Sequence, residues 1–176
     1  MNSNWNKAFN EVIKSEGGYV NDPHDHGGET NLGVTKAAWG QYLGRTIEDG
    51  EMKALTKSEV KPFYKKMYWD VCHCDVLPAG VDYMVFDLAV NGGVGRGAKM
   101  LQTVAGVNAD GAIGPATLAA LTAIKDEPKV TIKKMSAYKE AFYKAIVAAK
   151  PDQDKFLKGW LNRVAAVEKL AEQMVA

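Results

Sequence analysis

Apolar residues in this chain recur at helical spacing between explicit stop signals, and that pattern constrains its fold more than any other feature. Trp5, Ala8, Phe9, Val12 and Ile13 share one face of a helix, which Gly17-Gly18 ends. Thr56-Lys57-Ser58-Glu59 reads as a capping box, with Val60, Phe63, Tyr64, Met67 and Tyr68 periodic behind it. An apolar run from Val81 to Val90 leads into Asn91-Gly92-Gly93, and Gly114-Pro115 marks another helix start. Residues 126–149 and 152–175 read as two longer helices divided by Pro151. On the last of these, Phe156, Leu157, Trp160, Leu161, Val164 and Val167 are expected on the buried side. Strand signals are weak: Gly33-Val34-Thr35 and the turn-rich stretch before it predict nothing larger than a short hairpin. The predicted fold class is all-α, or mainly α, with a small loop or β-hairpin near residues 19–35.

A chain of 176 residues suits one domain, or one with a small appendage, and buries enough surface to need no covalent staples. With 22 basic and 21 acidic residues the net charge is +1, which gives no argument for a nucleic-acid partner. Cys72 and Cys74 are one residue apart, too close for an unstrained bridge, and are expected as buried free thiols. The start, MNSNWNKAFN, lacks the apolar core of a signal peptide, and no apolar run reaches the ~18 residues of a membrane span. The expectation is synthesis in a reducing cytoplasm, no stable membrane insertion, and dependence on another protein for any exit. No repeat or long linker is evident, so the glycine-rich stretch 91–97 is the best candidate boundary.

The chemistry concentrates in residues 15–35, SEGGYVNDPHDHGGETNLGVT. Glu16 falls at the C-terminal end of the first helix. There the negative end of the helix dipole and unsatisfied carbonyls disfavour ionisation, so its pKa is expected to rise. A glutamic acid held protonated near neutral pH is what a glycosidase general acid must be. Asp22, Asp25, Glu29 and Thr30 are candidate second groups, and the turn residues among them let that loop fold back. The competing reading is an ordinary solvated glutamate followed by a hairpin. Asp22, His24, Asp25, His26 and Glu29 match neither an EF-hand order nor a helical zinc pair, and Cys72-His73-Cys74 is half a metal site without a second half. No metal and no cofactor are expected. Asp87 and Asn91 share one helix face, and read equally as binders of sugar hydroxyls or acetamido groups and as a capping or core hydrogen-bond pair. Tyr19, Trp39, Tyr42 and Trp69 are candidates for sugar stacking or for core packing.

The segment Glu16-Gly17-Gly18-Tyr19-Val20-Asn21-Asp22-Pro23, continued by Asp25, Gly27-Gly28, Thr30 and Gly33-Val34-Thr35, resembles the signature of glycoside hydrolase family 108. These are muramidases of the lysozyme superfamily, found in phage and prophage lysis cassettes and in bacterial loci once labelled secretion activators. Phe86-Asp87-Leu88-Ala89-Val90-Asn91-Gly92-Gly93 resembles the family's second motif. Leu101-Gln102 and the series Gly106-Val107, Asp110-Gly111, Gly114-Pro115-Ala116-Thr117 and Leu121 resemble a peptidoglycan-binding repeat, in which Asp110-Gly111 would make a tight turn between two helices.

The resemblance implies a lysozyme-like, two-lobed helical fold, with a catalytic lobe over 1–90 and a helical lobe over 91–176 that resembles a peptidoglycan-binding region, the two expected to pack as one compact unit. It implies that Glu16 protonates the oxygen between N-acetylmuramic acid and N-acetylglucosamine. Related phage muramidases place a catalytic Asp nine residues after the Glu and a Thr six further on; here Asp25 is nine after Glu16 and Thr30 is five after Asp25. By that analogy Asp25 stabilises charge at the anomeric carbon and Thr30 helps hold a water, while Tyr19, Asp87 and Asn91 are candidate substrate contacts. The implied partner is bacterial peptidoglycan, met by a monomer that relies on a holin or leakage to reach the wall. Two alternatives stay open: a lytic transglycosylase, which leaves an anhydro product, and a non-catalytic peptidoglycan-binding protein.

Overall fold

The structure, a computed structural model, describes residues 4–21, 28–125 and 127–175, of 122, 123 and 125 the backbone only. It is mainly helical, with one small antiparallel sheet among the described residues. Two compact units divide the chain, Trp5–Met67 and Tyr68–Ala176 with Met1–Asn4. The boundary falls inside a π-helical turn, Lys65–Trp69, whereas the sequence points to the glycine-rich stretch 91–97.

In the smaller unit, α1 (Trp5–Ser15) buries Trp5, Ala8, Phe9, Val12 and Ile13, the face its periodicity predicts. It packs on α4 (Lys57–Tyr64), where Phe9 meets Tyr64 edge-on at 5.8 Å between ring centres. Burial of each such aromatic side chain is worth about 1.5–3 kcal/mol. The Thr56–Glu59 capping box forms as read: Glu59 N–H donates to the Thr56 hydroxyl and Thr56 N–H to the Glu59 carboxylate at 2.8 Å. The sheet is a hairpin of β1 (Thr30–Asn31) and β2 (Val34–Thr35), extended by a bridge from Val20 to Thr30. Thr35 then caps α2 (Lys36–Leu43) by accepting from Ala38 N–H. Trp39 lies in the core with Tyr42 and Phe63, so of its two sequence readings the packing one applies. A short helix, α3 (Glu51–Ala54), closes on the hairpin, where Asn31 donates to the Met52 carbonyl at 2.8 Å.

In the larger unit, α5 (Val81–Gly92) is buried along its length from Val81 to Ala89, surrounded by α6 (Val94–Ala105), α8 (Pro128–Ala149) and α9 (Asp154–Met174). Gly97 lets α6 approach this helix: a Cβ there would lie 3.0 Å from the Val85 carbonyl and 3.1 Å from Ala89 Cβ. The glycine at the end of the 91–97 stretch therefore serves a close helix crossing. Trp69 is fully buried against Phe86 and donates to Asp75 at 2.8 Å, again the packing reading. Cys72 and Cys74 are buried free thiols, as expected. The Cys72 pKa is drawn down by its hydrogen bond to Cys74, whose own pKa burial pushes well up.

The repeat-like motif becomes a clasp. Gln102, fully buried on α6, donates to Asp110, to the Ala112 carbonyl at 3.0 Å and to Thr117 on α7 (Pro115–Lys125) at 3.1 Å, while its carbonyl accepts from Gly111 N–H. Gly111 takes the left-handed conformation the Asp110-Gly111 turn requires, φ +89°. One expectation is corrected on α9. Val164 and Val167 are buried, with Ala171 and Met174 beyond them, but Phe156 is 46% exposed and Trp160 only half-buried. The apolar stripe outruns the core: its first turns stack on α8 through Tyr143 and remain open to solvent.

Candidate active site

The site begins where α1 stops. Glu16 follows directly on Ser15, and Gly17-Gly18 turn the chain into an extended segment. That segment pairs with the hairpin: Leu32 N–H donates to the Gly17 carbonyl, and Val20 and Thr30 exchange bonds of 2.8 and 2.9 Å. The two-residue turn is Leu32-Gly33, with φ +49° and +73°, positive at both positions as a type I′ turn demands.

This turn packs against the carboxyl group of Glu16. A Cβ on Gly33 would overlap both Glu16 Oε2 and the Tyr64 hydroxyl, so glycine is required there for space as well as for φ. Tyr64 donates its hydroxyl to the Leu32 carbonyl at 2.8 Å, pinning the turn to α4. Half-buried Glu16 thus lies where three stretches of chain meet: the end of α1, the hairpin turn and, through the Tyr64 hydroxyl beside Gly33, α4.

The other predicted residues divide. Thr30 sits in β1, partly exposed and paired with Val20 and Thr35, in the same hairpin as Gly33. Tyr19 is exposed and donates to Glu29 at 3.3 Å. Glu29 accepts from Lys36 at 2.9 Å, and that hydrogen bond holds its carboxyl below the usual range. A cavity of about 560 Å³ is lined by Glu29, Lys36, Gln41 and Arg45 among others; Glu16 is not part of its wall. Asp25, with Asp22, His24 and His26, lies outside the described residues. Asp87 and Asn91 belong to the larger unit. There Asp87 is buried and accepts from Lys139 and Arg163, both at 2.6 Å, while Asn91 donates to the Asp87 carbonyl at 2.7 Å. The pair therefore makes the core hydrogen bond its spacing allowed. Among the described residues no three His, Cys, Asp or Glu side chains cluster as a metal site would require.

Sequence reasoning missed Gly33 and Tyr64 as neighbours of Glu16. Gly33 carried a signal, since Leu-Gly between two short β-prone stretches is a hairpin turn. Tyr64 was legible only as a core position on its helix.

The sequence profile of Glycosyl hydrolase 108 matches residues 9–93, which span the hairpin, Glu16 and Tyr64. A second profile, Predicted Peptidoglycan domain, matches residues 96–165. The solved structure of SagA from Brucella abortus is 37% identical, covers 99% of this chain and 97% of its own, and superposes with a TM-score of 0.81. The chain belongs to the glycosyl hydrolase 108 family. It is a glycoside hydrolase that acts on peptidoglycan. No curated protein sequence matches it. The family profiles meet between residues 93 and 96, one helix later than the structural division at 67, because α5 carries family sequence of the first part but packs among the helices of the second. No helix among the described residues is long and apolar enough to cross a membrane.

Proposed function

We propose that this chain is an N-acetylmuramidase that cleaves the β-1,4 bond between N-acetylmuramic acid and N-acetylglucosamine, with Glu16 as general acid. The observation that carries this reading is the seat of the Glu16 carboxyl at the end of α1, against a glycine that leaves it room and a tyrosine that pins the turn. A general acid works only when its carboxyl is held within reach of the leaving oxygen, and a seat built from three stretches of chain is how a fold meets that need. Glu16 protonates the glycosidic oxygen as the bond breaks. Asp25 stabilises the positive charge that develops at the anomeric carbon, and Thr30, in the neighbouring strand, helps hold the attacking water. The distance between the two carboxyls selects the route: about 5–5.5 Å for a covalent retaining path, about 6.5–9.5 Å for an inverting one. The enzyme works as a monomer on the wall, which it reaches through a holin or another release route.

The test uses purified sacculi, the wild-type protein and Glu16→Gln, with mass spectrometry of the released fragments. The amide keeps the shape and removes the proton. Reducing N-acetylmuramic acid ends from wild type, and almost none from Glu16→Gln, are expected. Anhydro ends would make the protein a lytic transglycosylase. Sedimentation with sacculi without release would leave only binding.

A further inference from the structure

The larger unit carries a concave site of its own, lined by residues to which no catalytic role has been given. A cavity of about 380 Å³ opens between α5, α6, α8 and α9, lined by Asn91, Arg96, Phe142, Tyr143, Trp160 and Arg163 among others. One wall is aromatic. Tyr143 and Trp160 stack at 5.1 Å and 26°, and Phe156, 46% exposed, continues the row at 5.9 Å from Trp160. These are the side chains that the α9 stripe leaves outside the core. Flat, partly exposed rings of this kind bind the apolar faces of sugars.

The other wall is cationic. Arg163, in the cavity wall, donates to Asp87 at 2.6 Å, and the same carboxylate accepts from Lys139. Arg96 brings a cation to the same wall, held over the Phe142 ring at 4.5 Å and tied to the Gly92 carbonyl at 2.7 Å. Among the described residues no acidic side chain lines the cavity. An adjoining cavity of about 530 Å³ shares Arg96 and Phe142, and adds Lys99 together with Asp110. A guanidinium held by an aromatic ring and a backbone carbonyl is preorganised for a carboxylate, and the volume suits one sugar with a short substituent.

We propose that this groove binds the carboxylate-bearing muramoyl-peptide unit of peptidoglycan, with the sugar against Tyr143 and Trp160 and the peptide carboxylate on Arg96 and Arg163. Within peptidoglycan the acidic stem joins the glycan at muramic acid, so only that unit presents a ring face and a carboxylate together. The proposal rests on the reading that the substrate contains muramic acid. It also gives the Predicted Peptidoglycan domain, residues 96–165, a binding surface distinct from the buried Gln102 clasp.

The test measures binding to full-length Glu16→Gln protein by calorimetry, and by NMR of the Trp160 indole and the backbone. Four probes are compared: muramyl dipeptide, the same molecule with its carboxylates amidated, an N-acetylglucosamine oligomer, and inorganic phosphate. Muramyl dipeptide should bind and shift α6 and α9 signals. Amidation, Arg96→Gln or Trp160→Leu should each weaken it about tenfold or more, given the strength of charge-assisted hydrogen bonds and ring contacts. Thermal melts confirm that each variant is folded, and the amidated probe tests the same contact without mutation. Equal affinity for the amidated probe, the oligomer or phosphate, or shifts confined to the Glu16 hairpin, would overturn the proposal. Wild-type hydrolysis of sacculi is scored separately. Hydrolysis without groove binding sinks this proposal alone; groove binding without hydrolysis sinks the muramidase reading alone.

Discussion

Two polar motifs in this chain look alike in sequence and end differently in space. Around Glu16 the glycines, asparagines and a carboxylate build a turn that leaves the carboxyl half-buried at the edge of a hairpin. Around Gln102 a similar mixture of Gly, Asp and Thr closes on itself: the Gln102 side chain is fully buried and meets four partners within its own unit. A motif whose polar groups satisfy one another builds architecture. One whose carboxyl stays half-buried beside a hairpin turn is the seat that the proposed general acid needs. Residue type does not separate the two cases; the direction in which the side chain meets its neighbours does.

The sharpest break in this comparison is Glu16→Gln. It should lower release of reducing ends by about 10²–10⁴-fold while leaving the melting temperature near wild type, because it changes a proton and little else. An equal loss of stability would place Glu16 with Gln102 as architecture. Lys139→Met should act in the opposite sense. Removing one partner of a buried ion pair typically costs about 3–5 kcal/mol, and Arg163 still faces Asp87, so a loss near the low end is expected in urea denaturation.

Asp82 sharpens the comparison through pH. It sits at the start of α5, where burial raises its pKa from 3.8 to about 6, although it accepts hydrogen bonds from Asn4 and from the Gly80 and Tyr83 amides. A carboxyl with a raised folded-state pKa favours the fold when protonated. Its contribution is full below about pH 3.8 and is lost as pH rises through about 6. That displacement corresponds to about 3 kcal/mol at most. Asp82→Asn should therefore flatten the stability profile between about pH 4 and 7, and a profile that keeps its slope would assign the titration elsewhere. Gln102→Leu should cost about 2 kcal/mol by leaving buried partners unsatisfied, with catalysis on soluble glycan fragments changed far less than by Glu16→Gln. The smallest effect is expected from Tyr64→Phe. Loss of one hydrogen bond to the Leu32 carbonyl should cost about 1 kcal/mol, with a lower kcat as the turn beside Glu16 loosens.

Much of the molecule was legible because the signals were local. The face of α1, the capping box before α4, the proline that opens α7 and the break at Pro151 each act within a turn or two of helix, and each appears where the periodicity predicts. Glu16 was legible for the same reason, since its position at a helix end follows from the two glycines behind it. The glycine-rich stretch 91–97 contains the point where the two family profiles meet, while its last glycine also serves a close helix crossing, which only the approach of α5 to Gly97 shows.

By itself the sequence determined the helices, their ends, the hairpin and the placing of an acid at the end of α1, all short-range consequences of periodicity, capping and turn chemistry. Tertiary structure alone decided which groups meet. It seated Glu16 against Gly33 and Tyr64, buried Asp87 between Lys139 and Arg163, 52 and 76 residues away, and left Phe156 and Trp160 outside the core. The reason is physical: a side chain's partner depends on where distant helices come to rest, and no local rule of spacing encodes that meeting.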